Sequence, residues 1–384
     1  MEAIRLESIK LVHVRIPLCE PFTISNGVVG EKDAILVEIK AAGLTGLGEA
    51  SPMAGSFYSH HTPDSTWRAL TERLVPRMNE ARELDLGGEW FAGVVDDPYA
   101  TCGIDCALWD LAAKRRGVPL WSLLGGRGDR RIESGLAVGI VPTVDELLER
   151  IDHYLRMDGY RRVKIKVQPG WDLEPLEAIR IRFGRIPLMV DANCAYTREH
   201  LAHLASFDRF GLLMIEQPLA RDDLEGHAEL SACCRTPICL DEGAESPSAV
   251  AQAIRLRAAR IINIKLQRLG GFAAALRVHQ LAGESRLGCW MGTMPELAIG
   301  AYAAIHFATL DHITHPTDVE ASRRWFVADV TDPPVGCHNG LLGVPSGSGL
   351  GVRLNPEIVR QYKVREWAGD LTCKLACTPP NIER

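Results

Sequence analysis

VKIKVQPGWDLEPLEAIRIRFGRIPLMVDAN, residues 163–193, opens on a strand that carries two lysines. Lys164 and Lys166 alternate with Val163, Ile165 and Val167, so a side-chain period of two puts both ammonium groups on one face and leaves the other wholly apolar. A helical stretch follows, and then a second apolar strand that ends at Asp191. Strand, helix and strand in so short a run form a βαβ unit, and such units imply a parallel sheet.

The same alternation extends in both directions. Upstream, ESGLAVGI precedes the helical TVDELLERIDHYLRMDGY; downstream come LLMIEQP, PICLDE, RIINIKL, LGCWMG and DHITHP, each set off by a helical stretch. Eight strands in about 185 residues suit a closed (β/α)8 barrel. An open doubly wound sheet would carry a glycine-rich phosphate turn after its first strand, and AVGIVPTVDE lacks the G-x-G-x-x-G pattern. Residues 1–130 read as an α+β capping domain: three antiparallel strands, a loop at 21–27 (PFTISNG), a second loop at 53–61 (MAGSFYSHH), then helices. Residues 131–330 read as the barrel, and 331–384, glycine- and proline-rich at first, as a return to the capping domain.

Composition narrows the function. The chain has 384 residues, 46% hydrophobic, with net charge -6, which argues against nucleic acid or an anionic membrane as partner. No apolar run approaches the ~18 residues of a membrane span, and the opening residues alternate like a strand rather than a signal peptide. A cytoplasmic protein is expected. The 11 cysteines are scattered without a C-x-x-C pair and read as free thiols; His200 with His203, and His312 with His315, lack a third ligand in any zinc pattern.

The strand ends carry the chemistry. Asp191, Glu216 and Asp241 close three successive strands at intervals of 25 residues; Lys166 lies 25 before Asp191, and Lys265 lies 24 after Asp241. Acids at strand ends often cap the next helix, but that role does not account for five ionisable groups in apolar strand contexts at one period. In a barrel all five would share the C-terminal face, where active sites are built. Three neighbouring carboxylates repel unless a cation neutralises them, and an all-oxygen set favours Mg²⁺, or Mn²⁺, over zinc. Lys166 on strand 2 and Lys265 on strand 6 would face each other across the ring, with a small-molecule carboxylate between them. That arrangement suits abstraction of the proton next to the carboxylate, with an enediolate stabilised by a fixed cation. Lys164, on the face of Lys166, supplies either a like charge or a salt bridge.

KIK, VDAN, IEQP, LDE and NIK resemble the muconate lactonizing subgroup of the enolase superfamily, whose Lys base with Mg²⁺ is a known pattern. Within it, PFTIS, KVQPGWDLEP, DANCAYT, FGLLMIEQPL, TPICLDE and VPSGSGLGV are similar to the N-acylamino acid racemase and o-succinylbenzoate synthase family. The resemblance implies a modified barrel of the (β/α)7β type, an acid/base pair of Lys166 and Lys265, and Mg²⁺ ligands Asp191, Glu216 and Asp241. It places Asn193 beside the metal. Substrate contacts are expected from the strand-7 segment (Met294, Glu296) and from the capping loops (Phe22, Ser25, Phe57, Tyr58). Trp290 and Trp325 are either pocket walls or core. Two segments depart from the family pattern: Leu266-Gln267 stands where Pro-Gly is usual, and Pro295 and Leu297 interrupt the usual Gly-Gly-Met-x-Glu-Thr-Gly. The implied activity is racemisation or epimerisation of an N-acylamino acid, with syn-dehydration of the o-succinylbenzoate synthase type or cycloisomerisation as alternatives. A homo-oligomer is expected of barrels of this type.

Overall fold

Seven parallel strands pair in sequence order: Leu136–Val138, Val163–Lys166, Leu188–Asp191, Ile215–Glu216, Ile238–Leu240, Ile261–Ile264 and Gly288–Met291, here barrel strands one to seven. The structure, a computed structural model, describes residues 3–25, 27–55 and 59–380. Helices intervene between the strands and cover the outside, as the alternation implies. The eighth strand expected at DHITHP is not regular. That segment closes the ring through single parallel bridges, Ile313 to Cys289 and Thr317 to Ser134. Pro316 has no N–H to give, so a continuous ladder cannot run through it.

The pleat divides the barrel interior from its shell. Val163, Ile165, Val190, Ile215, Leu240 and Ile264 point outward into the main core beneath the helices. Met189, Met214, Cys239, Ile261 and Trp290 point inward and form a separate apolar cluster, the floor of the site. Trp290 is therefore core: it is fully buried, and its Nε1–H donates to Cys239 Sγ at 3.3 Å. Two residues further along strands three, four and five, the same inward face presents Asp191, Glu216 and Asp241.

The capping strands are longer than expected. Ser8–Ile24 and Gly27–Ala41 form one hairpin, and the described residues of the predicted loop, 21–25 and 27, lie at its tip, with Phe22 opposite Val29 and Thr23 opposite Val28. Pro17 and Pro21 lack ladder N–H groups, and the register shifts between Pro17 and Phe22; the β-favouring Phe22, Thr23 and Ile24 then resume pairing. Leu44–Ala50 lies on the other side of Gly27–Ala41, while the C-terminal Lys363–Asp370 pairs antiparallel with Ser8–Ile24.

The first segment also caps a barrel helix. Helix Ala298–Phe307 begins with Leu297 at its N-cap, a residue with no capping side chain. Glu49 fills the role from Leu44–Ala50: its Oε1 accepts the Leu297 N–H and its Oε2 the Gly300 N–H, both at 2.8 Å. A carboxyl at a helix N-terminus satisfies donors that would otherwise be orphaned. Glu49→Ala is expected to lower stability by roughly 2 kcal/mol or more, with Glu49→Gln milder because its amide oxygen still accepts. Urea denaturation checks this; an alanine variant as stable as wild type would contradict the cap.

At the other end of this helix, His306 is locked as a neutral ring. Its Nδ1 accepts the Trp121 N–H at 3.1 Å and its Nε2–H donates to the Leu350 carbonyl at 3.2 Å. Burial pushes its pKa down to about 4. A depressed histidine means that the unfolded chain binds more protons than the folded one between about 4 and 6.5. Stability from this group is therefore complete above pH 6.5 and declines towards pH 4, by roughly 3 kcal/mol. Comparing the pH dependence of urea midpoints for wild type and His306→Gln checks it: the variant should lose less between pH 7 and pH 4.5.

Candidate active site

Strand register assembles the acids. Asp191 is opposite Lys166 on one side and Glu216 on the other, while Glu216 is opposite Cys239, which puts Asp241 two residues further along strand five. Gln217 locks the fourth and fifth strand ends together, its Oε1 accepting the Asp241 and Gly243 N–H groups at 2.9 Å each. Asn193, Cys194 and Gln217 all have positive φ, so the chain turns sharply off strands three and four where the functional groups sit.

Charges at the site are buried and paired. Lys166 donates to Asp191 and, at 2.9 Å, to Asn193 Oδ1; Lys265 donates to Asp241 at 2.8 Å. Arg268 reaches the other oxygen of Asp241. Lys164 lies deeper, between Asp318, Glu216 at 3.2 Å and Asp191 at 3.7 Å, with its Nζ 5.0 Å from the centre of the Trp290 ring. Burial pulls the Lys164 pKa down, but Asp318, Glu216 and Asp191 outweigh it and hold it above the ordinary value. The ion pairs with these acids give Lys164 a salt-bridge role, and the charge they maintain also stands two residues from Lys166 on the same strand face. Burial opposes ionisation of Asp241 too, yet Lys265 and Arg268 hold its carboxyl far below the usual range.

Glu216 shows that the acids crowd one another. Burial, then the charge of Asp191, with Asp241 also contributing, raises its carboxyl to about 8. Its Oε1 accepts from Asn263 Nδ2 at 2.6 Å. A divalent cation suits this donor set, being hard, all-oxygen and over-supplied with negative charge. As placed, the acids turn to the lysines and Arg268: among the described residues no three His, Cys, Asp or Glu side chains converge as a closed metal site.

Lys166 and Lys265 line one cavity, which is narrow and partly open to solvent. Lys164, Lys166, Lys265 and Asn193 line it below, and Phe22, Ile24, Met53, Met294 and Trp325 above. The hairpin tip forms this roof. Phe22 meets Trp325 edge-on with centroids 4.9 Å apart, the Ile140 N–H donates to Thr23 O at 2.9 Å, and Ser25 Oγ reaches Ala192 O at 3.4 Å. Gly139 permits the approach, since a Cβ there would lie 2.6 Å from Thr23 O. Glu20 latches the arm to the barrel through Arg150, Arg324 and the Tyr154 hydroxyl, at 3.0 to 3.1 Å.

The sequence-predicted residues therefore divide. All three lysines, the three acids, Asn193, Met294 and Phe22 come together, and Ser25 bonds Ala192 O without lining the cavity. Glu296 is set back: it is buried, accepts the Met294 N–H at 3.1 Å, and does not line the cavity between the lysines. Phe57 and Tyr58 lie outside the described residues. Sequence reading missed Asp318, partner of Lys164 and Arg162, because it follows the irregular eighth segment, where no strand pattern marked its position. It also gave no role to Arg268, whose spacing three residues after Lys265 was visible.

Two family models cover the chain: mandelate racemase / muconate lactonizing enzyme, N-terminal domain, over residues 7–125, and enolase C-terminal domain-like over residues 146–358. The chain belongs to the mandelate racemase/muconate lactonizing enzyme family of the enolase superfamily. It is 41% identical to an o-succinylbenzoate synthase of Geobacillus kaustophilus over 94% of this chain and 96% of that one. It is 37% identical to an N-succinylamino acid racemase of Thermus thermophilus, covering 93% and 97%. A probable mandelate racemase structure from Alicyclobacillus acidocaldarius matches with TM-score 0.88 and 34% identity, covering 96% and 100%. The protein is thus an enzyme of this family. No helix of the described residues is long and apolar enough to cross a membrane. Among the departures from the family motifs, Gln267 serves the structure directly. It accepts the Ser51 N–H at 2.9 Å and donates to Glu49 O at 2.8 Å, tying strand six to the capping sheet.

Proposed function

We propose that this enzyme removes the proton α to a carboxylate, by way of an enediolate, and that its reaction is racemisation or epimerisation of an N-acylamino acid. The observation that carries the reading is the placement of Lys166 and Lys265, from strands two and six, on one cavity, each against a different carboxylate. A substrate α-carbon between them has an amine on either face. One lysine, as the free amine, takes the α-proton and becomes ammonium; the other, as ammonium, returns a proton to the opposite face and becomes the amine. Asn193 holds Lys166 in place, the apolar roof orients the substrate, and the closed arm excludes water from the planar intermediate.

Asp191, Glu216 and Asp241 would hold Mg²⁺, or Mn²⁺, which when bound supplies fixed positive charge where negative charge builds on the substrate carboxylate. Lys164, kept charged by its three acids, balances that cluster from below.

The 41% identity to a protein named o-succinylbenzoate synthase favours a second reading, syn-dehydration. There Lys166 alone takes the α-proton, hydroxide leaves the neighbouring carbon with a proton from the same lysine, and Lys265 stays a cation. Incubating the enzyme with Mg²⁺ and single enantiomers of N-succinyl and N-acetyl amino acids, with chiral chromatography, tests the first reading. Inversion is the expected result. Retention of configuration throughout, with dehydration of a succinyl hydroxycyclohexadiene carboxylate followed by its absorbance, would replace it with the second.

A further inference from the structure

Glu242, the residue after Asp241, has no part in the mechanism above, yet its side chain is buried and directed at the site. Its Oε1 accepts Nδ2–H of Asn193 at 3.0 Å. At the opposite end of the same amide, Asn193 Oδ1 accepts from Lys166 Nζ at 2.9 Å, while the Asn193 backbone N–H is held by Asp191 Oδ1 at 3.0 Å. Glu242 Oε2 is buried without a partner among the described residues, so its contact with Asn193 is the hydrogen bond that anchors this carboxyl.

A primary amide is a donor at one end and an acceptor at the other, and the two ends are close to the same shape. Which end meets Lys166 is therefore decided by what holds the far end. A carboxyl oxygen accepts, so it draws Nδ2 towards itself and turns Oδ1 to the lysine. With the amide reversed, Nδ2–H would face an ammonium that can only donate, and Lys166 would lose one of its two fixed acceptors.

We propose that Glu242 is a positioning residue: it orients Asn193 so that the amide oxygen aims Lys166, and not Lys265, at the substrate α-carbon. The inference rests on the two-lysine reading above and deepens it, because it predicts an effect on one face of the reaction only. Lys265 is aimed by different contacts, with Asp241 on its own side of the ring.

The test follows exchange of the α-proton for deuterium by proton NMR, separately for each enantiomer, at saturating Mg²⁺. Lys166→Ala identifies the enantiomer that Lys166 deprotonates. Removing the Glu242 charge would also alter the field at Lys265, so the principal variant is Glu242→Asp, which keeps the charge but withdraws the carboxyl by one methylene; Glu242→Gln runs beside it. Glu242→Asp should slow exchange of the Lys166 enantiomer by about 10- to 100-fold. KM and exchange of the other enantiomer should stay as in wild type. In an Asn193→Ala background the substitution should have no further effect, since the link is already cut. Equal slowing of both enantiomers, or additivity with Asn193→Ala, would overturn the inference. A substrate-free readout separates its failure from that of the proposed function. Acetylation of the two lysines by a small anhydride, followed by peptide mass, should change at Lys166 and not at Lys265 in Glu242→Asp. A wild type that exchanges neither enantiomer would end the two-lysine reading, while unchanged labelling at Lys166 would end this one.

Discussion

Lys166→Ala and Lys265→Ala are each expected to lower racemisation by about 10²- to 10⁴-fold, the usual worth of a positioned acid/base group. The pattern matters more than the size. Each variant should still exchange the α-proton of one enantiomer, because the remaining lysine reaches one face, and the two variants should spare opposite enantiomers. Dehydration gives a different result: Lys166→Ala loses activity, and Lys265→Ala keeps the base and loses only a nearby charge. Both substitutions leave a buried carboxylate short of a partner, Asp191 in one case and Asp241 in the other. Stability is expected to fall as well, so far-UV circular dichroism and a thermal melt accompany the kinetics. Wild-type exchange from both enantiomers in both variants would remove the lysines from the mechanism.

The second large effect concerns the metal. Mg²⁺ should raise the thermal midpoint of the wild type by mass action, contributing about 2.7 kcal/mol when free ion is a hundredfold above its dissociation constant. Chelator treatment should reverse the gain and abolish turnover. Glu216→Gln retains the size and a carbonyl oxygen at this position but removes a negative donor from the crowded acid set; the midpoint should then respond weakly to Mg²⁺, while Glu49→Gln, whose carboxyl is engaged with Ser51, Leu297 and Gly300, should respond as wild type does. An equal rise in the two variants and the wild type would show that the ion binds elsewhere.

Much of this site was legible in the sequence because a barrel repeats. Period-two strands put Lys164 and Lys166 on one face, and the even spacing of Asp191, Glu216 and Asp241 reflects one strand and one helix per step around the ring. Those inferences need only local pattern and a count. What escaped is what crosses the repeat. Asp318 reaches Lys164 from a segment held by two single bridges, which leaves no alternating signature. Glu49 caps a helix 248 residues away, a contact that no local propensity encodes. The hairpin tip was mistaken for a loop because Gly27 and two prolines outweighed the β-favouring residues beside them. Glu296 was expected at the substrate through its motif position, and the path of the chain after Pro295 sets it on an adjoining cavity beside Thr293 and Asp318 rather than on the one between the lysines. Lys164 fits the same account: its charge was plain from sequence, but which acids face it depends on three strands and on the irregular segment.

The most direct test of the central claim is deuterium incorporation by the wild-type enzyme. The protein would be held in D₂O with Mg²⁺ and one enantiomer of an N-succinylamino acid, and the recovered substrate and product examined by mass spectrometry. Two opposed lysines on one cavity predict that the inverted product carries one deuterium at the α-carbon and that recovered starting enantiomer gains it on continued turnover. A folded, Mg²⁺-loaded enzyme that places no deuterium at the α-carbon of any carboxylate in an N-acylamino acid and succinyl-substituted panel would contradict it.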